Sequence, residues 1–416
     1  MTACVQGNSG RQGASGPVLW LSMAHPGARL AGSSTYSAGL IAAAADAGLS
    51  ISLAAGAAAT GEPSLRDADA ESALSAIETI ALPPPRQGRI ASLASPLPAS
   101  AWALGSGIAR RTLAEVLKAQ EWRAAIVDHA SMGWAFPVLK AAGVPFAYVS
   151  HNHEASVRPA VAAGTQGGPR RWLVQWDAAK FRRLENALTR NAAFITAISP
   201  EDAALYRQGG AACPIVPLLP GYAVPAKAPE PITADTPRRV VLVGRYDWIA
   251  KQANLSRWAA DGVPLLVQHG IETVVAGHVP APLVERLAQP GMRFVGEVES
   301  LSPVIRDARL GLVPEELGGG FKMKTLEYIF NARPIAALSG SLTGMPNEIQ
   351  RNTLQADTPA GLATAIIAAI DDLAGLNRMQ TDAWQAAARL FDWRSRGAAL
   401  AAAIGEHCLP SGRLSG

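Results

Sequence analysis

Three consecutive glycines followed closely by two lysines, Gly318-Gly319-Gly320-Phe321-Lys322-Met323-Lys324-Thr325-Leu326-Glu327, constrain this chain more than any other stretch. Short apolar runs flank it: Leu310-Gly311-Leu312-Val313 on one side and Pro334-Ile335-Ala336-Ala337-Leu338 on the other. Runs so short, apolar and bounded by turn residues read as strands buried on both faces, with room between them for one helix. That order belongs to a parallel sheet and puts the glycines at a strand's carboxyl end, where open parallel sheets bind ligands. Glycine amides converging beside lysines at a helix start suit a phosphate. The competing reading is a flexible cap on the strand, and the rest of the chain decides between them.

The same alternation begins at the amino terminus. Val18 to Met23 reads as a buried strand, followed by a glycine loop from Gly27 through Gly32, Ser33 and Ser34 and an Ala-rich helix to Gly48. The G-x-G-x-x-G spacing of dinucleotide sites is absent. After Pro83-Pro84-Pro85 one long helix is expected through Arg110 to Lys118. Two later strands, Ala125 to His129 and Pro145 to Ser150, deliver His129 and then His151-Asn152-His153-Glu154 to one sheet edge. Imidazoles there suit proton transfer or substrate hydrogen bonds, against the alternative of ordinary turn residues. Pro217, Pro220, Pro225, Pro229 and Pro231 mark a linker. Beyond it, Val240 to Val243 runs into Gly244-Arg245 and on to Lys251, a guanidinium and an ammonium able to grip one anion.

Length and composition set the frame. At 416 residues two domains are expected: a polar, disordered tail over 1–16, an α/β domain over 17–222, a second over 223–394, and a final helix within 395–416 returning towards the first. Hydrophobic residues are 49% and charged ones 17%, and no apolar run reaches the ~18 residues of a membrane span. Three scattered cysteines fit a reducing cytoplasm, and no metal-ligand spacing accompanies them or His151 and His153.

The net charge of +4 is unevenly placed. Through Tyr222 there are 18 basic and 14 acidic residues, and after it 19 of each. The basic excess therefore avoids the glycine-lysine half, and it gathers around Arg158, Arg170, Arg171, Lys180, Arg182, Arg183 and Arg190 with Trp172 and Trp176 among them. A nucleic-acid partner is not expected. A basic segment with tryptophans suits peripheral contact with an anionic membrane, whereas an amphipathic helix with Leu173, Trp176, Leu184 and Leu188 packed inward and the arginines solvated is the alternative.

Taken together, Gly244-Arg245, Lys251 and the Gly318 to Glu327 stretch resemble the GT-B glycosyltransferases, and most closely glycosyltransferase family 4, over nearly all of Val18 to Arg396. The resemblance implies an α/β fold of two Rossmann-like domains facing across a cleft. It implies transfer of a sugar from a nucleotide-diphosphate sugar to a glycan or lipid-linked acceptor, with retention, with no metal and no cofactor, in bacterial glycan or polysaccharide synthesis in the cytoplasm or at the inner membrane face. Donor contacts carry over to Gly244, Arg245, Lys251, Gly319, Gly320, Phe321, Lys322 and Glu327, and His151 corresponds to the family's active-site histidine. Gly32, Ser33, Ser34, His129, Asn152 and His153 fall on the acceptor side. One departure stands out: the family's E-x7-E motif would place its first glutamate where this chain has Gly319. A sugar-nucleotide epimerase and a non-catalytic partner subunit are the alternatives.

Overall fold

The computed structural model describes residues 16–28, 32–56, 72–85, 88, 90–163, 167–222, 230–316 and 321–408. The expected tail up to residue 15, Pro225 and Pro229 of the linker, and all three glycines 318–320 lie outside them.

Seven short strands form the first sheet: β1 (Val18–Ser22), β2 (Ile51–Gly56), β3 (Glu78–Leu82), β4 (Ala124–Asp128), β5 (Phe146–Val149), β6 (Phe194–Ala197) and β7 (Ile215–Pro217). They lie in the order β3-β2-β1-β4-β5-β6-β7, every neighbouring pair parallel. Six more form the second: β8 (Arg239–Val243), β9 (Glu272–Ala276), β10 (Met292–Gly296), β11 (Leu310–Val313), β12 (Ile335–Leu338) and β13 (Thr353–Ala356). Their order, β10-β9-β8-β11-β12-β13, is again all parallel. The central strands β1, β4, β5, β6, β11 and β12 are buried along their whole length. Helices cover both faces of such a strand, which is why its sequence is continuously apolar instead of alternating. Edge strand β3 is mostly exposed, with Glu78 and Thr79 at its exposed start and only Leu82 buried.

Each sheet reverses its winding once, between β1 and β4 and between β8 and β11, and a crevice opens at each reversal beyond the carboxyl ends of the strands. In the second sheet the crevice is held by one side chain. Beyond the Leu310↔Val240 and Gly311↔Val241 pairs the two strands part, and the Tyr328 hydroxyl accepts from Val243 N at 3.0 Å and donates to Leu312 O at 3.3 Å. Its ring lies over Gly311, where a Cβ would come within 2.2 Å of Tyr328 Cγ. A side chain there would close the space the tyrosine fills.

One apolar core includes Val18 and Trp20 of the first sheet together with Val241 and Val243 of the second, and two further cores fill the remaining faces. The last helix, Trp393–His407, packs on the first-sheet helix Gly32–Asp46 so closely that a Cβ on Gly397 would sit 2.0 Å from Ala43 O. Arg396 of that helix donates to Leu219 O at 2.9 Å, fastening it beside the linker.

Two expected elements differ. The long helix before β4 is two, Ala99–Leu104 and Gly107–Ala119, because Ser106 adopts an extended backbone and caps the second by accepting from Ala109 N. Gly32, Ser33 and Ser34 are not loop but the first turn of the helix Gly32–Asp46. Among the described residues no single helix is long and apolar enough to cross a membrane.

Candidate active site

The carboxyl ends of the two sheets face each other across a cavity of 430 Å³. Loops after β4, β5, β8 and β11 and the start of the helix Gly32–Asp46 all reach it. The sequence-predicted residues Gly32, Ser33, His129, His151 and Asn152 line it from the first sheet, and Gly244, Arg245, Lys251, Phe321, Lys322 and Glu327 from the second. Ser34 and His153 do not. His153 turns its ring edge-on to Tyr206 at 4.8 Å, away from the cavity. Gly319 and Gly320 are among the residues not described.

On the first-sheet wall, β4 ends in Asp128, a carboxylate only 2% exposed. It accepts a hydrogen bond from Trp20 Nε1 at 2.9 Å and pairs with His151 Nε2 at 2.6 Å. Burial alone would raise the Asp128 carboxyl, but the charge and hydrogen bond of His151, with Trp20 and Ser37 adding to them, hold it below the usual range. Asp128 thus stays an acceptor, which fixes the imidazole proton on Nε2. Tyr36 closes the other side of the ring, edge-on at 5.3 Å.

His129 takes a left-handed backbone, φ 78°, and its Nδ1 accepts from Ser131 N at 3.0 Å. Its Nε2 faces Glu154 Oε1 at 3.5 Å, and Glu154 Oε2 accepts from Arg158 Nε at 2.5 Å. Burial pushes the His129 imidazole down to about 4 against the pull of Glu154, so it is neutral at physiological pH. Glu154 begins the helix Glu154–Ala163, whose first amides, Glu154 N and Ala155 N, donate to buried Glu185 at 3.0 and 2.8 Å. That anchor sets where Glu154, Val157 and Arg158 enter the cavity.

The second-sheet wall is built around one carboxylate. Glu315, two residues past β11, bonds Lys324 Nζ through Oε1 and lies 3.5 Å from Lys322 Nζ through Oε2, and the charge of Lys251 acts on it as well. Burial would raise this carboxyl, but the charges of Lys324 and Lys322, then Lys251, pull it down to about 2. Burial in turn lowers Lys251 and Lys322 from their usual values, against the attraction of Glu315. Three ammonium groups share one carboxylate. Arg245 is partnered differently: Nη1 donates to Glu297 Oε1 at 2.6 Å and Nε to Asp247 Oδ2 at 3.2 Å. Glu327, on the helix Lys324–Phe330, accepts from Tyr222 OH at 2.8 Å, and the Tyr222 ring stacks on Phe330 at 4.4 Å.

Asp128, Glu315 and Tyr222 were missed as site residues by sequence reasoning. A signal existed for the first: a Trp within a buried strand needs an Nε1 partner, and a lone acid ending a buried strand is a natural one. Glu315 carried no such mark. Among the described residues no group of three His, Cys, Asp or Glu side chains converges as a metal-holding set.

A profile of the family described as glycosyl transferases group 1 matches residues 237–372. The profile of the glycosyl transferase 4-like domain matches residues 31–221, so that the two cover both walls of the cleft. The chain belongs to the group 1 glycosyltransferases. Its two parallel sheets are the GT-B fold of these enzymes, and solved structures agree at the level of fold. The glycosyltransferase superposes on HepE from Anabaena, solved with UDP and glucose, with a TM-score of 0.62 at 14% identity, covering 94% of this chain and 99% of that one. Sucrose-phosphate synthase from Thermosynechococcus elongatus gives a TM-score of 0.66 at 18% identity, with 92% and 96% of the two chains covered. UGT2 of Phytolacca americana, complexed with UDP-2-fluoro-glucose and pterostilbene, gives 0.55 at 11% identity over 94% and 99%. No curated protein sequence matches this glycosyltransferase.

Proposed function

We propose that the enzyme takes its sugar from a nucleotide-diphosphate sugar bound on the second-sheet wall and passes it to a glycan acceptor bound on the first. The observation that carries this reading is the cluster of Lys251, Lys322 and Lys324 around Glu315, facing His151 across one cavity with Asp128 bonded behind that imidazole. Three ammonium groups and one carboxylate leave two positive charges in excess, which matches the two negative charges of a diphosphate diester. As the glycosidic bond breaks, the leaving diphosphate gains charge, so preorganised cations stabilise the transition state more than the ground state. Lysines and Arg245 thereby fill the role a divalent cation plays elsewhere, and the reaction needs no metal and no cofactor. Glu327, oriented by Tyr222, is the natural acceptor for the donor ribose hydroxyls. The complexes of HepE and UGT2 with UDP ligands support a nucleotide-sugar donor for an enzyme of this fold.

His151, its proton fixed by Asp128, is placed to hydrogen-bond the transferred sugar, and Asn152, His129, Gly32 and Ser33 border the acceptor. The family resemblance supports retention of anomeric configuration. It also supports a role in bacterial glycan or polysaccharide synthesis, with a lipid-linked acceptor met at the cytoplasmic face of the membrane.

The test is a panel of nucleotide sugars, with candidate acceptors, followed by NMR of the product anomer. Transfer with retention that persists in chelator is the expected result. Inversion would overturn the stereochemical part, and loss of activity in chelator the metal-free part.

A further inference from the structure

The long helix Gly168–Asn191 is two kinds of helix in succession. From Ala178 onward it buries Phe181, Leu184, Glu185 and Leu188 in the ordinary amphipathic way. Its beginning does not: residues 167–173 are all exposed, Val174 is half-buried, and Gln175 and Trp176 are exposed again. The first two turns therefore project from the body, and they carry Trp172 at 59%, Leu173 at 42% and Trp176 at 41% exposure. The two indoles stack on each other, 6.0 Å apart and nearly parallel, and both remain exposed. Leaving apolar area of this size in water forgoes about 25 cal/mol for every Å² that a partner could bury.

Helix geometry sorts the neighbours. At 100° per residue Trp172, Trp176 and Arg183 fall within about 40° of one line, Arg171 and Arg182 lie together on one flank, and Leu173 and Lys180 on the other. On that second flank Lys180 Nζ donates to Ser92 O at 2.6 Å, which brings up the segment bearing Ile90 and Leu93, themselves 86% and 44% exposed. The result is one surface with an indole ridge, an aliphatic side of Leu173, Leu93 and Ile90, and an arginine side. The acid within the exposed turns, Asp177, is occupied in accepting from Ala99 N at 2.8 Å.

We infer that this surface docks on an anionic lipid bilayer. Indoles favour the interface between headgroups and acyl chains, arginines the headgroup phosphates, and the charge is complementary. A protein partner would be expected to seat a projecting helix in a groove, whereas a planar interface meets an outward-pointing edge of this kind without one. The location fits the acceptor: the adjacent helix Glu154–Ala163 packs against this one and lines the cavity with Glu154, Val157 and Arg158. The biological purpose rests on the proposed lipid-linked acceptor, but the binding itself does not.

Two variants test it, Trp172→Ser with Trp176→Ser, and Arg171→Ser with Arg182→Ser and Arg183→Ser, all at exposed positions. Co-sedimentation is measured with vesicles of phosphatidylcholine alone and with one third phosphatidylglycerol, at low and high salt. The wild type should bind the anionic vesicles at least tenfold more strongly than the neutral ones, less so at high salt. The arginine variant should lose about fivefold per residue at low salt, the equivalent of about 1 kcal/mol each. The tryptophan variant should lose at least tenfold, with unchanged melting temperature in both. Equal recovery on the two vesicle types, variants that sediment like the wild type, or self-association abolished by the tryptophan changes would each overturn the inference, the last by assigning the surface to a second copy. Transfer to a water-soluble acceptor fragment, measured on the same proteins, should be unaffected. Its absence in the wild type would count against the proposed function and leave the vesicle result standing.

Discussion

Replacing Asp128 with Asn removes one charge and almost no volume at the point where the acceptor wall is organised. The carboxylate accepts from two donors, Trp20 Nε1 at 2.9 Å and His151 Nε2 at 2.6 Å, at a site 2% exposed. An amide has one acceptor oxygen and one NH2 group, so whichever way it is turned one of the two N–H groups faces another N–H. A buried donor left unsatisfied costs about 1–3 kcal/mol, and loss of a charge-assisted bond about as much again. A net destabilisation of about 3 kcal/mol lowers the melting midpoint of a domain of this size by about 6–12 °C. A neutral amide with a single acceptor oxygen no longer fixes the His151 proton on Nε2, and displacing a positioning group in this way costs about 10²-fold in turnover. Asp128 lies on the wall opposite the lysine cluster, so affinity for a nucleoside diphosphate should not change. Turnover, calorimetric affinity and a thermal melt on Asp128→Asn separate these effects. Turnover within threefold of wild type would refute the orienting role. Lost turnover with an unchanged melt would show that Asp128 acts on the substrate directly.

Three further outcomes follow from the geometry. His129 is held down to about 4, so its share of stability is present above the unfolded value of 6.5 and is lost as the pH falls towards 4, by about 3 kcal/mol; denaturant melts should show this loss, and His129→Asn, which tolerates the left-handed backbone, should flatten it. Gly311→Ala would drive a methyl to within 2.2 Å of Tyr328 Cγ, costing about 3 kcal/mol and disturbing the β8–β11 crevice, visible as a lower melting temperature together with weaker nucleotide affinity. Arg245→Ala should reduce turnover by about 10²–10³-fold, as loss of one oxyanion donor does, and full activity in a steady-state assay would remove Arg245 from the machinery.

The chain's strands were legible because parallel strands buried on both faces must be continuously apolar. Val240 to Val243 and Leu310 to Val313 stand out on that ground alone. Their carboxyl ends were then legible as site, which located Lys251, Lys322 and Glu327 without tertiary information. Two kinds of feature were hidden. Capping decided by a single rotation of the backbone was one: Ser106 splits a helix that periodicity joins, and Gly32 to Ser34 begin a helix although their composition suits a loop. Pairing across the fold was the other. Asp128 meets a Trp 108 residues away, and Tyr222 meets a Glu 105 residues away. His153 looked equivalent to His151 in the sequence, yet two residues of turn rotate it onto Tyr206. Glu315 acquires its meaning only when Lys251 from one helix start and Lys322 and Lys324 from another converge on it.

Titration calorimetry of nucleoside diphosphates against the wild type and Lys251→Ala measures directly whether that lysine cluster holds the donor's diphosphate. The wild type should bind at least one member of the set, more weakly as salt is raised, and Lys251→Ala should bind that member about 10–100-fold more weakly, as expected for losing one charged hydrogen-bond partner. Equal affinity in the two proteins, or no binding of any nucleoside diphosphate to the wild type, would contradict it.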